Sequence, residues 1–172
     1  MSNVDAERFV CLKKYIPFMI FCALTLLCVG FIFANSAKDG VESGASSSAV
    51  VEFIENILSR LGFEADVSER FIRKLAHFLE YMLLSLLVCA DVFTASKKEK
   101  RIFKNAYALA IAPVFCFVIA NIDEFIIQAA TVGRGPSFRD VCIDTSGAFG
   151  GVVAFLSLML IVSAIKRRRV NL

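Results

Sequence analysis

A single histidine occurs in 172 residues, and none of the six cysteines forms a CxxC pair. The lone His77 excludes any metal site that needs two histidines from one chain. Cys11, Cys22, Cys28, Cys89, Cys116 and Cys142 show no zinc-type clustering and predict no disulfide framework. Most of them fall in apolar runs and read as small apolar residues. There is no HExxH motif, no recognisable nucleophile motif, no internal repeat and no low-complexity tract. The net charge is only +3, and no basic stripe with interleaved aromatics lies outside the apolar runs. Nucleic acid is therefore not an expected partner.

What the chain has in excess is apolar residues. They make up 58% of it, against about 45–50% in soluble domains, and the mean hydropathy is +0.70. The excess comes in blocks, and a bilayer needs blocks of roughly 20 residues at about 1.5 Å each. Four spans are predicted: 15–34, 75–93, 106–127 and 141–165. The expectation is an all-α, integral membrane four-helix transmembrane bundle, with residues 1–172 as one domain. The first span is longer than the core of a signal peptide and reads as a retained anchor.

Orientation follows from the flanks. Arg8, Lys13 and Lys14 precede span one; Lys97, Lys98, Lys100, Arg101 and Lys104 join spans two and three; Lys166, Arg167, Arg168 and Arg169 follow span four. With four spans these segments share one side, so both termini are expected in the cytoplasm of a bacterial plasma-membrane protein. The basic segments read as topology signals and lipid-headgroup contacts. Residues 35–74 and 128–140 are then expected outside. In the first of these loops, Ser43, Gly44 and Ser46 to Ser48 suggest a flexible opening. Val50, Val51, Ile54, Ile57, Leu58 and Leu61 then recur at helical spacing, predicting a short amphipathic helix on the outer surface that ends at Gly62. Asp66 and Glu69 have capping-box spacing and predict a helix start near Val67.

The polar residues of the spans gather at one depth. On span two, Arg73, His77 and Glu80 fall within about 60° of one another, flanked by Lys74 and Tyr81. Span three ends in Asp123 and Glu124, with Gln128 one turn further on. Span four opens with Asp140 and Asp144, and Gly147 and Gly151 continue that stripe. Small residues at this spacing admit a close helix neighbour. Arg134 lies between Gly133 and Gly135, where a mobile backbone would let it fold over the site as a lid. Charges inside a bilayer cost several kcal/mol and persist when they face one another or a water-filled cavity. A salt-bridge network that only fixes helix register is the plain reading of such a cluster; a ligand site is the functional one. Asp91, near the inner end of span two, reads as structural.

The segment Arg73-Lys74-Leu75-Ala76-His77-Phe78-Leu79-Glu80-Tyr81 resembles the RKxxHxxEY motif of the VanZ-like family of bacterial membrane proteins. Asp123, Glu124, Gln128, Arg134, Asp140, Gly147 and Gly151 resemble its later signature, and Asn35-Ser36 its exit from the first span. Asp144 departs from the pattern, since the family usually has Asn there. The resemblance implies a bacterial envelope context linked to glycopeptide (teicoplanin) resistance, and it assigns no reaction.

Three functions fit these residues. One is a binding protein whose outer polar pocket engages a membrane lipid or lipid-linked cell-wall precursor, with Arg73, Lys74 and Arg134 on a phosphate or carboxylate. Another is an intramembrane hydrolase or transferase acting on a lipid headgroup, with His77 as acid or base and Glu80 orienting it. There a divalent cation could sit among Asp123, Glu124, Asp140, Asp144 and His77. The third is an ion-coupled transporter, for which four spans would call for an oligomer.

Overall fold

A computed structural model describes residues 3–63, 66–95 and 105–170. The described residues form five helices: α1 (Asn3–Ser36), α2 (Gly40–Arg60), α3 (Glu69–Ala95), α4 (Asn105–Ile122) and α5 (Phe138–Val170). Beyond α4 the chain continues through a π turn (Asp123–Ile127) and a 3-10 turn (Gln128–Ala130). The basic connection Lys97 to Lys104 lies outside the described residues.

Four helical stretches are long and apolar enough to cross a membrane: Tyr15–Ser36, Glu69–Ala95, Leu109–Ala130 and Phe138–Arg169. They contain or closely match the four predicted spans. The protein is a multi-pass helical membrane protein. Its large apolar side chains point outward accordingly: Leu26, Leu27 and Leu160 are all about 70% exposed.

The interior is built from small residues and a few large ones. Ala112, Cys116, Ala120 and Ala148 pack with Ile32, Tyr81 and Leu84. Helix α3 is the hub: it touches α1, α2, α4 and α5, and α5 most extensively. The close α3–α5 approach depends on two glycines. A Cβ on Gly147 would strike the Phe78 carbonyl, and one on Gly151 the Met82 carbonyl. Association inside a bilayer has no hydrophobic drive between helices, so such backbone proximity supplies the packing contact.

Helix α2 is longer than the sequence suggests. It begins at Gly40, so the expected flexible opening is helical. The cause is local. The Asp39 carboxylate accepts the Val41 and Glu42 amides at 3.0 and 2.8 Å, a full N-cap. The hydroxyls of Ser46, Ser47 and Ser48 donate to carbonyls four residues back. Ser43 and Ser47 are buried toward the bundle, while Val50, Phe53 and Ile57 are exposed. At its far end Gly62 takes φ +83°, and Phe63 N–H donates to Leu58 O, as in a Schellman cap. Helix α3 then starts at Glu69, two residues later than expected. Asp66 forms no box with Glu69; Glu69 accepts the Ser48 hydroxyl and Glu55 accepts the Val67 amide instead.

Candidate functional site

The chain end of α1, the first turns of α3, the π turn, the 131–137 loop and the start of α5 meet at the α2 end of the bundle. Each brings polar groups that its neighbours hold in place.

From α1, the Asn35 amide donates to Glu80 Oε1 at 2.8 Å, and the Ser36 hydroxyl to Asp123 Oδ2 at 2.8 Å. The π turn sets the acidic pair. In an α-helix a residue five positions on stands about 140° around the axis. Here the Gln128 N–H donates to the Asp123 carbonyl, which widens the turn, and the Gln128 amide faces both carboxylates. Its Nε2 lies 3.1 Å from Asp123 Oδ2 and 2.7 Å from Glu124 Oε2. The other Glu124 oxygen accepts the Ser137 amide at 2.7 Å. Asp123, Glu124 and Asp144 are 0%, 0% and 1% exposed.

The cations are placed differently from one another. Lys74 Nζ pairs with Asp140 Oδ1 at 2.6 Å across α3 and α5, and both side chains stay partly exposed. Arg134 is no mobile lid. Its guanidinium donates to Ser36 O at 3.2 Å, Gln128 Oε1 at 3.3 Å and Ser43 Oγ at 2.6 Å. Those bonds fasten α1, α2 and the loop together. Burial, with Arg73 nearby, pushes the Arg134 guanidinium down from its ordinary pKa, against the opposing pull of Asp123, Glu124 and Glu80. The flanking glycine also serves closure rather than motion. Gly133 takes φ +78° and lies against Gly40, whose N–H donates to Val132 O at 3.1 Å. Arg73 makes no ion pair among the described residues.

Two cavities open here. One, of about 140 Å³, is lined by Arg73, Lys74, His77, Gln128, Arg134, Asp140 and Asp144 together with residues 133, 135 and 143. The other, of about 190 Å³, lies toward α2 and reaches Asn35, Lys38, Ser43, Ser47 and Glu80. Arg73, His77 and Arg134 border both. His77 Nδ1 stands 3.8 Å from Glu80 Oε2, which is proximity rather than a hydrogen bond.

Of the residues singled out in sequence, Arg73, Lys74, His77, Gln128, Arg134, Asp140 and Asp144 share the first cavity, and Glu80 borders the second. Asp123 and Glu124 are buried and line neither. Tyr81 is fully buried, lines neither, and its hydroxyl has no partner among the described residues. Gly147 and Gly151 set helix approach. As to metal ligands, one donor atom each from His77, Asp123 and Asp144 lies within 4.8 Å of the others. Glu124 and Asp140 are engaged elsewhere. Ser43, Ser137 and the π turn carried no sequence signal strong enough to nominate them; Asp39 as a cap could have extended α2 back to Ser43.

Asp91, outside this cluster, accepts the Thr25 hydroxyl at 2.7 Å and ties α3 to α1.

No curated protein and no solved structure matches the chain. The VanZ/LLP1 family profile matches residues 21–162, which include every residue of the cluster just described. With most of its length covered, the chain belongs to the VanZ/LLP1 family.

Proposed function

We propose that this VanZ-like membrane protein binds the anionic headgroup of an amphiphilic envelope molecule, such as a lipid-linked cell-wall precursor, in the cavity at the α2 end. The supporting observation is the wall of that cavity, where Arg73, Lys74, His77 and Arg134 converge. A phosphate or carboxylate suits such a set of donors. Lys74 and Arg134 already have protein partners, which leaves Arg73 as the cation offered to a ligand. The basic flanks assign this end to the extracytoplasmic side, with both termini in the cytoplasm. The exposed apolar side chains of α2, Val50, Phe53 and Ile57, give the acyl part a surface to follow. A link to glycopeptide resistance would act through this capture of an envelope molecule.

The test uses the full chain in nanodiscs of zwitterionic lipid, titrated with a polyprenyl pyrophosphate and with phosphatidylglycerol. Arg73→Ala is expected to weaken binding of the tighter ligand about tenfold while leaving the melting temperature unchanged. Equal binding by Arg73→Ala and the parent chain would reject the cavity as a headgroup site.

A second reading, hydrolysis or transfer at the headgroup, is favoured by the position of His77 beside Glu80 on the cavity wall. Headgroup turnover by the parent chain that His77→Gln abolishes is the result this reading requires. Turnover surviving in His77→Gln would remove it.

A further inference from the structure

Three carboxylates among the described residues are buried without an ion pair, Asp123, Glu124 and Asp144, and only Glu124 has both oxygens hydrogen-bonded. Asp123 and Asp144 are essentially inaccessible, and neither forms an ion pair among the described residues. Of the cations that border the cavity, Lys74 and Arg134 are committed elsewhere, and Arg73 forms no ion pair with either carboxylate. Lys74 pairs with Asp140, and Arg134 gives its bonds to a carbonyl, an amide oxygen and a hydroxyl. An ionised carboxylate taken out of water without compensation is costly.

Hydrogen bonds satisfy only part of each group. Asp123 Oδ2 accepts from Ser36 and Gln128, whereas Asp123 Oδ1 has no partner among the described residues. Asp144 Oδ2 and His77 Nδ1 are likewise buried and unpartnered. These are the residues whose donor atoms lie within 4.8 Å of one another, brought there by the π turn, α5 and α3. Three ligands of one tetrahedral ion, each about 2.0–2.2 Å from it, stand roughly 3.5 Å apart. The three donor atoms lie within 4.8 Å of one another, and an ion would draw them together.

We infer that His77, Asp123 and Asp144 form a binding site for a divalent transition-metal ion, zinc or manganese, with its remaining positions open to the cavity that His77 and Asp144 line. One imidazole with two carboxylates suits these ions better than magnesium or calcium, which prefer oxygen alone. Two aspartates neutralise the ion's charge. Ser36 and Gln128 hold Asp123 through Oδ2, as outer partners hold a metal ligand, and leave Oδ1 free for the ion. The inference does not rest on headgroup binding, since all three ligands come from the protein.

The full chain in zwitterionic nanodiscs, stripped with a chelator, is titrated with Zn²⁺ and with Mn²⁺ and no anionic lipid. Near one ion bound per chain is expected. Pulsed EPR of the Mn²⁺ form is expected to show nitrogen coupling from an imidazole. His77→Gln and Asp144→Asn should each weaken binding at least tenfold, and Asp91→Asn should not. Absence of a stoichiometric ion, or bound Mn²⁺ without nitrogen coupling, would overturn the assignment. So would unchanged affinity in Asp144→Asn. If the variants do not fold, the EPR signature of the unaltered chain still decides. Loss of headgroup binding with the metal retained would sink only the proposed function.

Discussion

The two ends of this bundle solve the membrane's demand for satisfied polar groups in different ways. Midway along α1 and near the end of α3, Asp91 takes one hydroxyl from Thr25 and stays partly accessible. At the α2 end, five segments crowd together, and bonds between distant residues tie Ser36, Gln128, Arg134 and Ser137 around two carboxylates. The far half of α5 is loose by comparison. Its residues from Leu160 to Arg169 are all exposed, whereas Gly147 and Gly151 press on the backbone of α3. The nearest hydroxyl serves one oxygen of Asp91 and leaves the other, Oδ1, without a partner among the described residues. A cluster, once drawn together by close backbone contact, leaves some buried atoms unserved, and those atoms are where a ligand has something to gain.

The contrast can be broken most severely at Gly147. Gly147→Val places methyl groups against the Phe78 carbonyl, and overpacking of this kind costs about 3 kcal/mol. Unfolding in detergent should report that loss together with loss of Zn²⁺ binding. A stable variant would mean that α3 and α5 can separate without cost to the cluster.

Arg134→Ala comes next. It removes three hydrogen bonds that join α1, α2 and the loop, and the expected cost is about 2 kcal/mol. Paired with Arg73→Ala, it separates fastening from ligand contact. Arg134→Ala should lower the melting temperature, whereas Arg73→Ala should lower only headgroup occupancy. The smallest effect belongs to the other region. Asp91→Asn keeps an acceptor for Thr25 and should change stability by under about 1 kcal/mol. A larger loss there would show that both regions hold the fold equally.

Much of this arrangement follows from helical repeat alone. The four spans, the stripe of Arg73, His77 and Glu80, and the glycines of α5 are local periodicities, and the structure contains all of them. Partner choice is another matter. Arg134 between two glycines suggests a mobile lid, because flanking residues say nothing of Ser36 O or Ser43 Oγ waiting about a hundred positions away. The serines of α2 suggest flexibility by composition, yet the Asp39 cap and hydroxyl bonds to the helix's own carbonyls wind them into a helix. Asp123, Glu124, Asp140 and Asp144 look like equal candidates for a cation. Geometry divides them, giving Asp140 to Lys74 and Glu124 to Ser137. The π turn has no periodic signature at all, since a repeat of 3.6 residues places Gln128 on the face of Glu124 and away from Asp123.

The bonds of the cluster also carry an order in time. Ser36 meets Asp123 across 87 residues, Lys74 meets Asp140 across 66, and Arg134 reaches back 98 to Ser36. As the chain is synthesised from its N-terminus, Asp123 emerges after Ser36 but before Gln128 and Arg134, and Glu80 waits with only Asn35. Asp144 arrives last of all, with the glycines that seat α5 directly behind it. The cluster is therefore complete only once the start of α5 has been made. Until then Asp123 and Glu124 stand without the helix that closes over them.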